Sequence, residues 1–117
     1  MKALDVISEF DNLRPNSFDF AMKKSWLDTI ETDIKYYISL HKDSVETFDA
    51  HEDNPTLSLA ENYKDIYVYY LISKGDMANG EFRLYNISSA YFNALFDKWK
   101  REYRDKNPPL KNTAIKC

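Results

Sequence analysis

The stretch Ala21-Met22-Lys23-Lys24-Ser25-Trp26-Leu27-Asp28-Thr29-Ile30-Glu31-Thr32-Asp33-Ile34-Lys35-Tyr36-Tyr37-Ile38 decides the fold. Met22, Trp26, Ile30, Ile34 and Ile38 step by four residues, and Leu27 and Tyr37 broaden the stripe. Apolar residues at that spacing share one side of a helix with a 3.6-residue repeat. Lys23, Lys24, Asp28, Glu31 and Lys35 fall mainly on the other side, which the pattern turns toward water. The reading is a helix over about residues 17–41. Asn16 or Ser17 is its N-cap, and Asp19 sits at the positive end of its dipole.

Upstream, residues 2–13 carry a shorter stripe of Leu4, Val6, Ile7, Phe10 and Leu13. Arg14-Pro15-Asn16 stops it, because the residue before proline avoids the α region. Downstream, residues 42–57 are acidic and lose the helical period, with Val45–Phe48 the place for a short strand. An aperiodic segment of that length inside a compact domain is often functional. Ser58 and Glu61 then match a capping box, and Ile66, Tyr70, Ser73 or Lys74, and Met77 form a new stripe. Asn79-Gly80 signals a turn or C-cap, so the next break falls there or at Asn86. Tyr85, Ser88 or Ser89, Phe92, Phe96, Trp99 and Tyr103 share the last seam, and Pro108-Pro109 forbids further helix. The expected fold is all-α: a small bundle of about four helices with a long acidic loop between helices 2 and 3 and an irregular C-terminal tail. Residues 1–106 form the single helical domain and 107–117 the tail.

Composition agrees. The chain has 117 residues, enough for one domain with one core. Its two glycines and four prolines disfavour a many-stranded sandwich, which needs frequent turns. Sixteen basic against nineteen acidic residues give a net charge of −3, the opposite of a protein devoted to holding nucleic acid. The balance is uneven: residues 97–117 carry +4 and the other 96 carry −7. An acidic body with a basic end suits a copy of itself or an acidic partner. The one cysteine, Cys117, excludes an intrachain disulfide and a cysteine zinc cluster. The acidic start of the chain carries no signal-peptide core, and no apolar run is long enough for a membrane span.

The search for chemistry returns little. There is no Gly-x-Ser-x-Gly, no phosphate-cradling glycine loop and no dinucleotide fingerprint. Asp49-Ala50-His51-Glu52-Asp53 offers metal donors, but its spacing lacks the central glycine of a calcium loop and reads as a solvated acidic stretch. His41 reads as a helix C-terminal residue favouring the dipole. Asn86-Ile87-Ser88 matches a glycosylation sequon that has no secretory context. No catalytic, cofactor or metal residue is assigned. Trp99-Lys100-Arg101-Glu102-Tyr103-Arg104 interleaves bases with aromatics, as a nucleic-acid contact does, or places one aromatic face in the core and a charged face in water. Tyr67, Tyr69 and Tyr70 cannot all be core, since successive helical residues point about 100° apart. Tyrosine favours interfaces. The candidate subunit or partner contacts are therefore Tyr67 and Tyr69, with Phe48 in the acidic loop and Lys111 and Ile115 in the tail.

Three segments together resemble a known family. They are Tyr63-Lys64-Asp65-Ile66-Tyr67-Val68-Tyr69-Tyr70-Leu71, then Asp76-Met77-Ala78-Asn79-Gly80-Glu81, then Tyr85-Asn86-Ile87-Ser88-Ser89-Ala90-Tyr91-Phe92-Asn93. The family is the head–tail connector, or head-completion adaptor, of tailed phages and Gram-positive prophages. It reads Tyr-Asp-Glu-Leu-Tyr, a short helical stretch, Asn-Gly-Glu, then Tyr-Asn-Asn-Ser and Phe-Asn. Leu13-Arg14-Pro15-Asn16 and Trp26-Leu27 sit where that family has similar residues. This chain departs from it at Ile87, where asparagine is frequent, and at Asn62, where proline is common. The resemblance implies a small helical bundle with a structural, non-enzymatic role and no cofactor. About a dozen copies would form a ring of heterologous contacts under the portal protein. That ring would extend the DNA channel without binding DNA specifically and would dock a tail-completion or stopper protein. It places the protein in the bacterial cytoplasm during assembly and then in the virion, not in a membrane. The alternative is a small helical DNA-binding or regulatory protein of a mobile element, with Trp99–Arg104 as its contact.

Overall fold

The computed structural model describes residues 1–41 and 53–108. It is an all-α bundle of four helices: α1 (Ala3–Leu13), α2 (Phe20–Ser39), α3 (Lys64–Ala78) and α4 (Phe82–Lys106). A 3-10 turn (Glu61–Tyr63) leads into α3. Among the described residues there is no strand, only an isolated bridge between Lys2 and Thr56. None of these helices is long and apolar enough to cross a membrane. The segment proposed for a short strand, Val45–Phe48, lies outside the described residues.

α3 is the centre. Ile66, Tyr67, Val68, Leu71, Ile72, Ser73, Gly75 and Asp76 are all buried and cover most of the helix, whereas on the expected stripe Tyr70 and Lys74 are only half-buried and Met77 is exposed. α1 lays Val6, Ile7 and Phe10 on it, α2 contributes Leu27, Ile30 and Ile34, and α4 contributes Phe92 and Trp99. The aromatic seam of α4 runs as expected, with Phe92, Phe96, Trp99 and Tyr103 in successive ring contacts at 5.4, 5.8 and 5.3 Å.

The α3–α4 corner forms where Asn79-Gly80 signals a turn, not at Asn86. Gly80 has φ +72, a left-handed conformation that glycine adopts without steric cost. Its N–H donates to the Met77 carbonyl and the Glu81 N–H to the Asp76 carbonyl. That pair of bonds is the Schellman ending of a helix.

Three local expectations are corrected. The N-cap of α2 is Asp19, whose carboxylate accepts from the Met22 N–H; Asn16 instead folds its own loop, bonding Asp11, the Arg14 carbonyl and the Phe18 N–H. Ser58 does not cap a helix: its N–H and its hydroxyl both donate to Glu31 Oε2 at 2.8 Å. The buried side of α2 is rotated from the expected stripe, so Lys23, Lys24 and Glu31 are buried while Met22 is exposed. The cause is polar pairing. Lys23 Nζ meets Asp11 at 2.8 Å, and Glu31 reaches the segment before α3. That segment, residues 54–59, also straps the chain start. Ala3 N–H donates to the Pro55 carbonyl, Leu57 N–H to the Met1 carbonyl, and Leu4 N–H to the Asn54 side chain. Leu57 and Leu59 enter the core beneath it.

Candidate interaction surface

Two buried polar clusters are the first places to look for chemistry. Glu31 is fully buried. Its Oε1 accepts from the Tyr67 hydroxyl at 2.6 Å and its Oε2 from both donors of Ser58. The Tyr67 oxygen in turn accepts from the Leu59 N–H at 3.2 Å. Burial, and then the Glu31 charge, push the Tyr67 phenol far above its ordinary ionisation range. The second cluster joins Asp76, buried at the end of α3, to the Arg14 guanidinium at 3.4 Å and the Ser88 hydroxyl at 2.9 Å. The first cluster ties α2 to α3 and to the segment before it, and the second ties the end of α1 to α3 and α4, as paired buried polar groups normally do in a core.

Tyr67 is therefore not a surface contact. It is 0% exposed, because its hydroxyl has a carboxylate to meet inside the protein. Tyr69 is half-buried, with its ring edge-on to Tyr91 at 4.5 Å. Phe48, Lys111 and Ile115 lie outside the described residues.

The basic–aromatic stretch at the end of α4 divides between core and water. Trp99 is 3% exposed, stacked on Phe96 with the Tyr103 ring tilted against it, so its face is not open to a base. Lys100 lies over the Phe96 ring at 4.5 Å. Arg101 and Arg104 line a shallow groove of about 390 Å³ with Tyr37 and Asp97. A second groove of about 410 Å³ runs between the start of α3 and the end of α4, where the Tyr63 hydroxyl donates to Glu102 at 2.9 Å. Its charged lining mixes Asp65, Glu102 and Asp105 with Lys98 and Lys106. His41 Nδ1 meets the Asn107 carbonyl at 2.5 Å, so that nitrogen carries the proton, and the contact ties the end of α2 to the end of α4. Among the described residues no group of three histidine, cysteine or acidic side chains is placed to share a metal ion; most of Asp49–Asp53 lies outside them.

Part of the surface that the fold leaves open is apolar. On α4, Leu84, Ile87 and Tyr91 are exposed by 39%, 63% and 48%, and Met77 and Phe82 stand exposed beside the α3–α4 corner. Leu84, Ile87 and Tyr91 follow a three-then-four spacing, the seam of a helix that packs against another helix. α4 thus carries two apolar stripes, and α3 covers only one. Residue-by-residue reading of the sequence passed over the second stripe, although its spacing is visible there. Comparison with protein-family models, with curated proteins and with solved structures gives no match to this chain.

Proposed function

We propose that this chain is a structural subunit of a phage head–tail connector, a ring-forming adaptor between portal and tail that extends the DNA channel. The observation that carries the reading is the α3–α4 unit. The residues that resemble the connector family, Tyr63 to Asn93, fold as one hairpin with α3 at the centre of the bundle and an apolar face of α4 left open. An assembly subunit needs a rigid body and uncovered apolar surface. It needs no catalytic cleft, and the two buried clusters around Glu31 and Asp76 are engaged in holding the bundle together. The net negative charge also favours a channel through which DNA slides, since cationic contacts to phosphate are what retain it. The DNA-binding alternative loses its stacking component, because Trp99 is in the core.

The test is negative-stain electron microscopy of particles from the encoding phage or prophage with this gene deleted. Filled heads without tails, or heads that leak DNA, are expected. Normal tailed virions would overturn the reading.

A further inference from the structure

The turn that ends α3 brings together the two halves of a chemical reaction. An asparagine side chain can be attacked at its amide carbon by the backbone nitrogen of the next residue. Glycine leaves that nitrogen least crowded, because it has no Cβ. Asn79 precedes Gly80, and no other asparagine of the chain precedes a glycine. Asn54 and Asn107 precede prolines, which have no N–H to lose. Asn12, Asn62 and Asn86 precede leucine, tyrosine and isoleucine, whose side chains crowd the nitrogen. Asn16 precedes a serine, but its side chain is held by Asp11, the Arg14 carbonyl and the Phe18 N–H. Asn79 and Gly80 are both exposed, and among the described residues no side-chain hydrogen bond holds Asn79. Nothing stands within 4 Å of where a Cβ on Gly80 would lie, so the turn has room to move.

We propose that Asn79 is a site of spontaneous modification, converting to aspartate and isoaspartate when this turn opens. The folded turn holds the reacting groups apart. Asn79 has ψ −1, which sets the Gly80 nitrogen beside the Asn79 nitrogen and away from its Cβ. Ring closure needs the Cβ side, so the Asn79–Gly80 peptide must rotate first. Rotation breaks the bonds from the Gly80 N–H to the Met77 carbonyl at 3.0 Å and from the Glu81 N–H to the Asp76 carbonyl at 2.9 Å. An exposed helix end is where such local opening costs least. The Gly80 nitrogen then gives its proton to solvent and bonds to the Asn79 Cγ. The bond from Cγ to the amide nitrogen breaks, and that nitrogen takes a proton from water and leaves as ammonia. Water opens the cyclic imide at either carbonyl, giving aspartate or isoaspartate. Both products place a carboxylate between Met77 and Phe82, which are exposed by 43% and 62%, and isoaspartate also lengthens the backbone inside the turn. The modification goes beyond the connector reading and does not rest on it.

The experiment is peptide mapping by mass spectrometry on the purified full chain, kept folded at neutral and at mildly alkaline pH and sampled over weeks. Asn79 is expected to gain the mass of an amide-to-acid exchange before any other asparagine, with both aspartate and isoaspartate at that position. The conversion should run faster at the higher pH, because the attacking nitrogen must lose its proton. A parallel sample unfolded in urea should convert severalfold faster at Asn79, since the turn no longer keeps the nitrogen from the Cβ side. An Asn79 that stays intact in the folded chain while the urea sample has converted would overturn the proposal, and so would another asparagine converting first. Aspartate without isoaspartate would rule out the imide route through Gly80. Equal rates in the folded and unfolded chain would overturn the control by the turn. None of these outcomes depends on whether virions of the deletion strain carry tails, so the two readings fail separately.

Discussion

Tyr67→Phe removes one oxygen and nothing else, and the structure sets what that oxygen is worth. It donates at 2.6 Å to the fully buried Glu31 carboxylate and accepts from the Leu59 N–H at 3.2 Å. A hydrogen bond to a charged group contributes about 1.5–3 kcal/mol, and a buried donor left without an acceptor costs about 1–3 kcal/mol. The two overlap because Leu59 can adjust, so the expected loss is about 3–4 kcal/mol out of the roughly 5–15 kcal/mol typical of a domain. With a urea slope of about 1.5 kcal/mol/M, the midpoint falls by about 2 M. The assay is urea unfolding at pH 7 followed by far-ultraviolet circular dichroism, run as a cycle with Glu31→Leu. The double variant should be less damaged than the separate losses imply, by about 2 kcal/mol, because each change removes the other's partner. Tyr63→Phe is the control: its hydroxyl also meets a carboxylate, Glu102 at 2.9 Å, but at a half-exposed position where such a bond is worth under about 1 kcal/mol. A Tyr67→Phe midpoint shift below about 0.5 M at unchanged slope, or strict additivity in the cycle, would refute the claim that this pair anchors the segment before α3.

Alkaline unfolding follows from the same phenol: burial and Glu31 raise its ionisation above the ordinary 10.0, so the unfolded chain releases a proton near pH 10 that the folded chain keeps. That stabilisation is complete below pH 10 and is lost as pH rises above it; a pH 8–12 stability series should decline more steeply for the wild type than for Tyr67→Phe, with equal slopes as the contrary result. Gly80→Ala forces a side chain into φ +72 and should cost about 1 kcal/mol, or roughly 4–6 °C in melting temperature, whereas an unchanged melting curve would show that the corner relaxes without it. Trp99→Ala should cost about 3–5 kcal/mol and Trp26→Ala distinctly less, because Trp99 is buried and Trp26 only half-buried; equal denaturant midpoints would contradict that ranking.

The helices were legible because their signals are local. Phe92, Phe96, Trp99 and Tyr103 recur along one side of α4, and Asn79-Gly80 supplies the left-handed residue that a Schellman ending needs. α2 was harder. Its apolar residues cover more than half its circumference, so the stripe drawn through Met22 and the one drawn through Leu27 fit the sequence almost equally. The choice between them is made by Asp11 and Ser58, which lie outside the helix and draw Lys23 and Glu31 inward. Ser58 shows the same dependence on distant residues. Its spacing to Glu61 matches a capping box, yet a carboxylate 27 residues earlier takes both of its donors. α3 defeats a stripe reading, since a helix packed around most of its circumference has little polar face to mark its orientation, and the stripe drawn through Tyr70, Lys74 and Met77 is its less buried side.

The candidate surface was legible in pattern and not in rank. Tyr67 and Tyr69 stand two residues apart, and composition treats them alike; only the position of Glu31 sends one ring into the core and leaves the other behind Tyr91. α4 shows why such a choice needs the fold. Tyr85, Ser88 and Phe92 make one seam, and Leu84, Ile87 and Tyr91 make another, displaced from it around the helix. Over the first turns hydrophobicity alone would bury the second seam as readily as the first, because Ser88 is polar and Ile87 is not, whereas further along Phe92, Phe96 and Trp99 favour the first. The buried Asp76 settles the first turns the same way. It needs a donor from α4, and Ser88 provides one at 2.9 Å, so the helix turns its serine inward and its isoleucine out. The Asp76–Ser88 bond and the aromatic run Phe92–Phe96–Trp99 thus agree on which stripe faces the core. The stripe left over, Leu84, Ile87 and Tyr91, stays at the surface.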